Sequence, residues 1–430
     1  ERFFVTRDNT TANSVWWIPI SVQTPTLGEI NSGTPAFWFG TQNHSVQLNI
    51  PNEWYILNVR QTGYYRVNYD ATNWKRLAIA LNSQNFSGIH ELNRGQIIDD
   101  LFNLARADYV SYKTVAEVMT YLKKEQDHLP WKSFFNGAGF VMDRFAGNMG
   151  RYFRDQLNLW MTPVYNRLGF EEKPDESISD KMNREIILYN MCQTGDGACI
   201  IKAMELFDKW KKTGEEIPKN AKKAVYCIGV KWGDYSDWRY LWNHYLTTNS
   251  EAEKVTALSG LGCSLQASAL DEYLRAALSS DLIRNHNVNS VYSSVYTTSV
   301  FSVDFMIDYL MYNYEAISKA YGGWNTVSTV FAGVCSKISK QEQYDKLEKF
   351  VRDSERELVK IKDDVKRALD EARRNLAWYT EHQEEFFNVF QNPPSVPVEV
   401  DDDTDAGIIA APVNALLIVS VIATVFRTIY

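Results

Sequence analysis

The chain has 430 residues, 45% of them hydrophobic and 23% charged, which is enough apolar material for two or three domains with cores of their own. Aromatic residues reach 13% and the net charge is −8. That composition excludes disorder over most of the length and leaves no basic footprint, so nucleic acid is excluded as a partner.

The first residues, Glu1-Arg2-Phe3-Phe4, carry no Met and no charged-then-apolar leader. With the secretory features below, this leads us to expect a fragment or a processed piece. Residues 1–86 read as a chain of short strands. Val15 to Val22 is rich in aromatic and β-branched residues and holds Pro19, which suits an edge or a bulge. Ser45 to Ile50 alternates polar with apolar. Tyr55–Val59 and Tyr64–Tyr69 flank Gln61-Thr62-Gly63 and predict two strands around a glycine turn. Strands of this length and spacing suggest a small β-sandwich. Glycosylation sequons stand at Asn9, Asn43 and Asn85.

From about residue 88 the apolar period turns helical. Ile97, Ile98, Leu101, Leu104 and Ala105 share one face. Amphipathic stretches follow at 115–122, 186–191, 200–210, 221–228, 238–245, 269–278 and 305–312, separated by breaks such as Gly195-Asp196-Gly197 and Ile217-Pro218. Many short helices in series predict stacked pairs, an irregular α-solenoid of the HEAT or armadillo kind, with no clean fixed-period repeat. The predicted fold class is therefore α+β in separate domains: a β-sandwich linker over 1–86 and a helical domain over 87–392. A long charged helix with Leu347, Val351, Leu358, Ile361, Val365, Leu369 and Leu376 on its stripe closes the helical part, as a coiled coil or one face of a bundle. Asn392-Pro393-Pro394 ends it.

Residues 393–404 form a Pro- and Asp-containing linker, and 405–430 read as a glycolipid-anchor signal. Asp405-Ala406-Gly407 supplies the small residues, and an apolar run follows from Ala415 to Phe426. Asp405 is the candidate attachment residue, with Thr404 and Ala406 as alternatives. The rival reading is a transmembrane helix over 407–426, about the ~20 residues a bilayer needs.

Chemistry is sparse. A zinc peptidase helix needs two histidines one turn apart with a glutamate between them. His90-Glu91-Leu92-Asn93-Arg94 begins that way, but a cation stands where the second ligand belongs. It reads instead as a helix start. No nucleophile elbow and no phosphate loop are present, and Gly137-Ala138-Gly139 reads as a helix break. Asp99-Asp100 could bind a cation but more plainly meets solvent or an arginine. Of five cysteines, four can form two local bridges. Cys335 is the odd one, a nucleophile or a buried thiol.

Trp54 to Asp70, with its Gly63-Tyr64-Tyr65-Arg66-Val67-Asn68-Tyr69-Asp70 core, resembles a signature of the aminopeptidase N-type zinc metallopeptidases, a gluzincin family. Trp16-Trp17-Ile18-Pro19-Ile20, Arg94 to Phe102 and Asn375-Leu376-Ala377-Trp378 resemble other segments of that family's C-terminal half. The resemblance covers about 1–392, and the tail looks most like the glycolipid-anchored insect midgut members. It implies bridges Cys192–Cys199 and Cys227–Cys263. It implies a sandwich and a solenoid that wall the chamber of a zinc enzyme removing N-terminal residues from peptides. The family's exopeptidase motif and zinc ligands lie before this sandwich and match nothing here. The resemblance therefore assigns no catalytic or metal residue to the chain, which is expected to bind no zinc and to be inactive alone. The implied partners are catalytic domains in cis, peptide substrates, the outer face of the plasma membrane, and toxin or lectin ligands. The alternative function is a glycolipid-anchored binding module without chemistry.

Overall fold

The computed structural model describes residues 16–31, 34–40, 46–47, 50, 52–84, 86–397 and 416–417. The sequon residues Asn9, Asn43 and Asn85, the tail residue Asp405 and His44 lie outside the described residues, as does most of the 407–426 run. The chain divides into two compact units, Glu1–Gly139 with Asn388–Tyr430 and Phe140–Phe387.

The first unit holds the strands: β1 (Ile18–Ile20), β2 (Val22–Thr24), β3 (Gly28–Ile30), β4 (Phe37–Phe39), β5 (Val46–Gln47), β6 (Ile56–Leu57) and β7 (Leu416–Leu417). β1 pairs antiparallel with β4, and β2 lies between β3 and β6 in a second antiparallel sheet. A bridge joins β5 to β7. Pro19 sits opposite Trp38 in the two-stranded sheet, where its missing N–H interrupts no inner ladder.

The expected hairpin after Tyr55 is not formed. Asn58, Arg60 and Gln61 all take positive φ, and a 3-10 turn occupies Val59–Gln61. The Asn58 side chain closes this turn onto Gly63, accepting from Gly63 N at 2.7 Å and donating to Gly63 O at 2.8 Å. Beyond it, Val67 N donates to Asp100 Oδ2 at 3.0 Å. A helix carboxylate thus takes a donor that a strand partner would have used.

Three helices and the greater part of a fourth complete this unit: α1 (Ala71–Asn82), α2 (Glu91–Arg106), α3 (Tyr112–Met119) and α4 (His128–Arg144), whose residues from Phe140 on belong to the second unit. Asp70 and Ser111 cap α1 and α3 by accepting from Asn73 N and Thr114 N. α2 buries polar as well as apolar residues. Arg94 Nε donates to the fully buried Glu125 at 2.8 Å, and the same guanidinium also meets Asp127. Gly137 and Gly139 do not break a helix; both lie inside α4. A Cβ on Gly137 would stand 2.8 Å from the Phe102 Cβ, so the missing side chain lets α4 press onto α2.

The second unit is helical: α5 (Arg151–Leu168), α6 (Ile178–Gln193), α7 (Gly197–Thr213), α8 (Lys222–Trp232), α9 (Tyr235–Thr247), α10 (Glu251–Leu261), α11 (Ala267–Ala277), α12 (Val288–Tyr296), α13 (Val300–Ala320), α14 (Asn325–Ser336), α15 (Gln341–Asp353) and α16 (Lys362–Gln391). Side-chain caps at Ser177, Asp196, Asp234, Ser250 and Ser299 start five of them. From α6 on they form two layers. α6, α8, α10, α12 and α14 touch in that order in one layer. The other layer is tied side to side. Lys211 on α7 meets Asp237 on α9, and Arg239 meets Glu272 on α11. The Tyr309 hydroxyl on α13 donates to Leu274 O at 3.0 Å, and Lys346 on α15 holds Asp308 at 2.5 Å. This is the predicted solenoid.

The closing charged helix is two helices. α15 stops at Asp353, a 3-10 turn spans Glu357–Ile361, and α16 runs back along α15. The seven-residue step from Val351 to Leu358 in the apolar stripe marks the break.

Two disulfides lie in this unit, Cys192–Cys199 across the α6–α7 turn and Cys227–Cys263 from α8 to the end of α10. That is the pairing the resemblance implies. Cys335 is free and buried, and burial raises its thiol well above the ordinary range. The two ends of the unit also meet: Phe145 stacks on Phe386 at 3.9 Å between centroids, and Arg144 donates to Ser336 O at 2.7 Å.

Candidate functional site

Two adjoining hollows of 410 and 370 Å³ open in the second unit, the first on the α6–α8–α10–α12 layer and the second between α6, the 142–154 segment and residues 296–303, and they share Tyr189 and Thr297. Their lining follows from helix geometry. Ser290, Ser293, Ser294 and the C-cap Thr297 fall at i, i+3, i+4 and i+7 along α12, one face of the helix. Val288, Val291, Tyr292 and Val295 take the opposite face into the core. On α10, Thr256 and Ser259 extend the hydroxyl surface.

Four of these six hydroxyls spend their protons on their own helices, Ser293 Oγ donating to Ser290 O at 3.1 Å. Ser294 Oγ donates to Val291 O at 2.7 Å, Thr297 Oγ1 to Ser293 O at 2.7 Å and Thr256 Oγ1 to Ala252 O at 3.0 Å. What they turn outward is lone pairs, so the surface accepts hydrogen bonds from N–H groups. Charge is placed at the margins. Lys223 lies 4.9 Å from the Tyr189 ring centroid and 3.9 Å from Glu185. In the second hollow Lys337 holds Asp143 at 2.6 Å, and Arg154 donates to Gly147 O at 2.7 Å. Burial lowers the Arg154 guanidinium from its ordinary range. Gln193 joins this rim to the bridge below, donating to Cys227 Sγ at 2.7 Å and accepting from Lys231 at 2.7 Å.

Other singled-out residues stand apart from the hollows. His90 caps α2 by accepting from Leu92 N at 3.2 Å. Asp99 and Asp100 both reach Arg66, at 2.5 and 3.0 Å. Among the described residues no group of three or more His, Cys, Asp or Glu side chains could hold a metal ion. Among the described residues, His90, His128, His244, His286 and His382 sit on separate elements. No described helix is long and apolar enough to cross a membrane. The hydroxyl face was passed over in the sequence, although its i, i+3, i+4, i+7 spacing was there to read.

Residues 54–374 match the family model of the ERAP1-like C-terminal domain. The chain belongs to that family. It is 29% identical to aminopeptidase N of Plutella xylostella over 357 residues, 81% of this chain and 38% of that protein. It is 34% identical to membrane alanyl aminopeptidase of Manduca sexta over 266 residues, 61% of this chain and 27% of that protein. It is 29% identical to human aminopeptidase N over 349 residues, 77% of this chain and 35% of that protein. This ERAP1-like domain spans about two fifths of the length of the curated relatives it matches or less, and it corresponds to the C-terminal part of an aminopeptidase.

Proposed function

We propose that this chain is the chamber-forming, membrane-tethering C-terminal part of a zinc-dependent aminopeptidase that removes N-terminal residues from peptides. The observation that carries this reading is the hydroxyl-lined face of a domain whose relatives are aminopeptidases. Outward lone pairs suit passing peptide N–H groups without gripping any one side chain, as a chamber wall must. The zinc and its ligands belong to a preceding catalytic part. The sheet region to residue 86 links that part to the helical wall over 87–392, and residues 393–404 lead to an anchor signal over 405–430 attached through Asp405. Asn9, Asn43 and Asn85 carry glycans on the cell surface.

The test is made in the whole enzyme. Ser293→Trp with Thr297→Trp fills the first hollow. Turnover of peptides of about ten residues falls relative to an aminoacyl reporter if the face walls the chamber; an unchanged ratio sinks the reading. The isolated chain is expected to take up no zinc and release no amino acids from such a reporter. Release of the protein from cells by phosphatidylinositol-specific phospholipase checks the anchor, and resistance favours a spanning helix.

A further inference from the structure

The last two helices of the second unit leave a trough between them. α15 and α16 run antiparallel, and Arg373 Nε donates to the Tyr344 hydroxyl at 3.2 Å, which fixes their register. The trough holds 310 Å³, within the size range of small-molecule sites. Its floor is Val351, Leu358, Val365 and Leu369, all branched aliphatics. All but Val351 are buried.

The rim is polar and unevenly satisfied. At one end Tyr344 donates to Glu348 at 2.8 Å, and Arg373 also holds Asp370 at 2.8 Å. At the other end Glu355 holds Lys362 at 3.0 Å. Between them Lys366 lines the trough with no ionic partner among the described residues, and Arg352 reaches only its neighbour Asp353, at 3.9 Å. The Tyr344–Arg373 register sets Arg352 and Lys366 at one level on opposite rims. The lining thus has one cation in excess: Arg352, Lys362, Lys366 and Arg373 against Glu348, Glu355 and Asp370.

We propose that this trough binds a monoanionic amphiphile, a medium-length straight-chain carboxylate. Its alkyl chain lies along the aliphatic floor and its carboxylate sits between Arg352 and Lys366. Three helical turns on each wall give a length of about 16 Å, and the volume admits one extended chain but not a helix of about 10 Å diameter. Unpaired positive charge above an apolar floor complements a carboxylate on a hydrocarbon chain. The inference does not depend on the aminopeptidase reading.

The test is calorimetric titration of the 430-residue chain with decanoate below its micelle concentration. Saturable one-to-one binding is expected, with 1-decanol weaker. Arg352→Glu with Lys366→Glu, both on exposed side chains, should weaken decanoate about tenfold or more, the scale of a lost charge-assisted contact. Val351→Trp should block the floor, with circular dichroism confirming unchanged helix content. No saturation, equal affinity for decanol, or variants that bind like the parent overturn the proposal. So does a self-association that Val351→Trp abolishes while decanoate leaves it untouched, since a second copy would then be what fills the trough.

Discussion

Two carboxylates, one in each unit, show how differently the units are held. Asp100 in the first unit has a side chain 5% exposed and shares one guanidinium with Asp99. Burial pushes its carboxyl up to about 7, against the pull of Arg66 and of the Val67 N–H. Glu253 in the second unit is 14% exposed and is met from three sides. His244 at 3.1 Å lowers it most, Lys222 at 2.7 Å and the Tyr226 hydroxyl add to that, and its carboxyl falls to about 2. Donor number against desolvation decides the sign. The first unit leans on buried ion pairs, among them Arg94–Glu125, and shows no disulfide among the described residues. The second has both bridges and a ladder of half-exposed pairs beside one buried pair of its own, Arg184–Glu176.

The largest test of that contrast is Arg66→Ala. It strands a buried carboxylate and should cost the first unit about 3–5 kcal/mol, read as faster hydrogen exchange along α2 with α10 unchanged. Removing Cys227–Cys263 should cost the second unit about 4 kcal/mol and Cys192–Cys199 about 2.5 kcal/mol by loop-closure entropy. Urea unfolding of Cys→Ser pairs measures both, and a cost falling on the first unit would break the comparison.

pH then sharpens it. Asp100 rises from 3.8 to about 7 on folding, so between those values the folded chain keeps a proton that the unfolded chain has released. Its contribution is full below about 4, falls as pH rises and is gone above about 7. Glu253 falls from 4.5 to about 2, so its contribution is present above 4.5 and lost as pH drops through about 2. Asp100→Asn should flatten the decline on the neutral side, and Glu253→Gln the decline on the acid side; denaturation midpoints across pH 2–8 would show it. The smallest effect belongs to the ladder: Lys211→Ala should cost under about 1 kcal/mol, and less in high salt.

Much of this architecture could be read in the residues. The helical stripes around Ile97 and Trp238 and the break at Gly195-Asp196-Gly197 are local signals, and the chain obeys them. What stayed hidden depends on distant partners. The strand expected at Tyr64–Tyr69 gave way because Asp100, over thirty residues on, takes its backbone donor. The repeat is carried more by contacts between helices than by recurring residues. Lys222–Glu253, Tyr309–Leu274 and Ser328–Asp364 all join residues 31 to 36 apart, and a Tyr-Leu pair at 240–241, 273–274 and 309–310 is a faint trace of that period in the sequence. The hydroxyl face escaped because serines and threonines carry no apolar period, and the eye follows the core.

The Phe145–Phe386 stack and the Asp143–Lys337 pair turn the second unit from a stack into a hoop. An open repeat array frays from its ends and can grow by propagation. A hoop has no free end to fray, so its helices gain or lose order together. Its closing contacts join residues 192 to 241 apart, which raises contact order and slows the final step. A ribosome must deliver the phenylalanine near the far end before the ring can shut, so the half-made ring waits on its last helix.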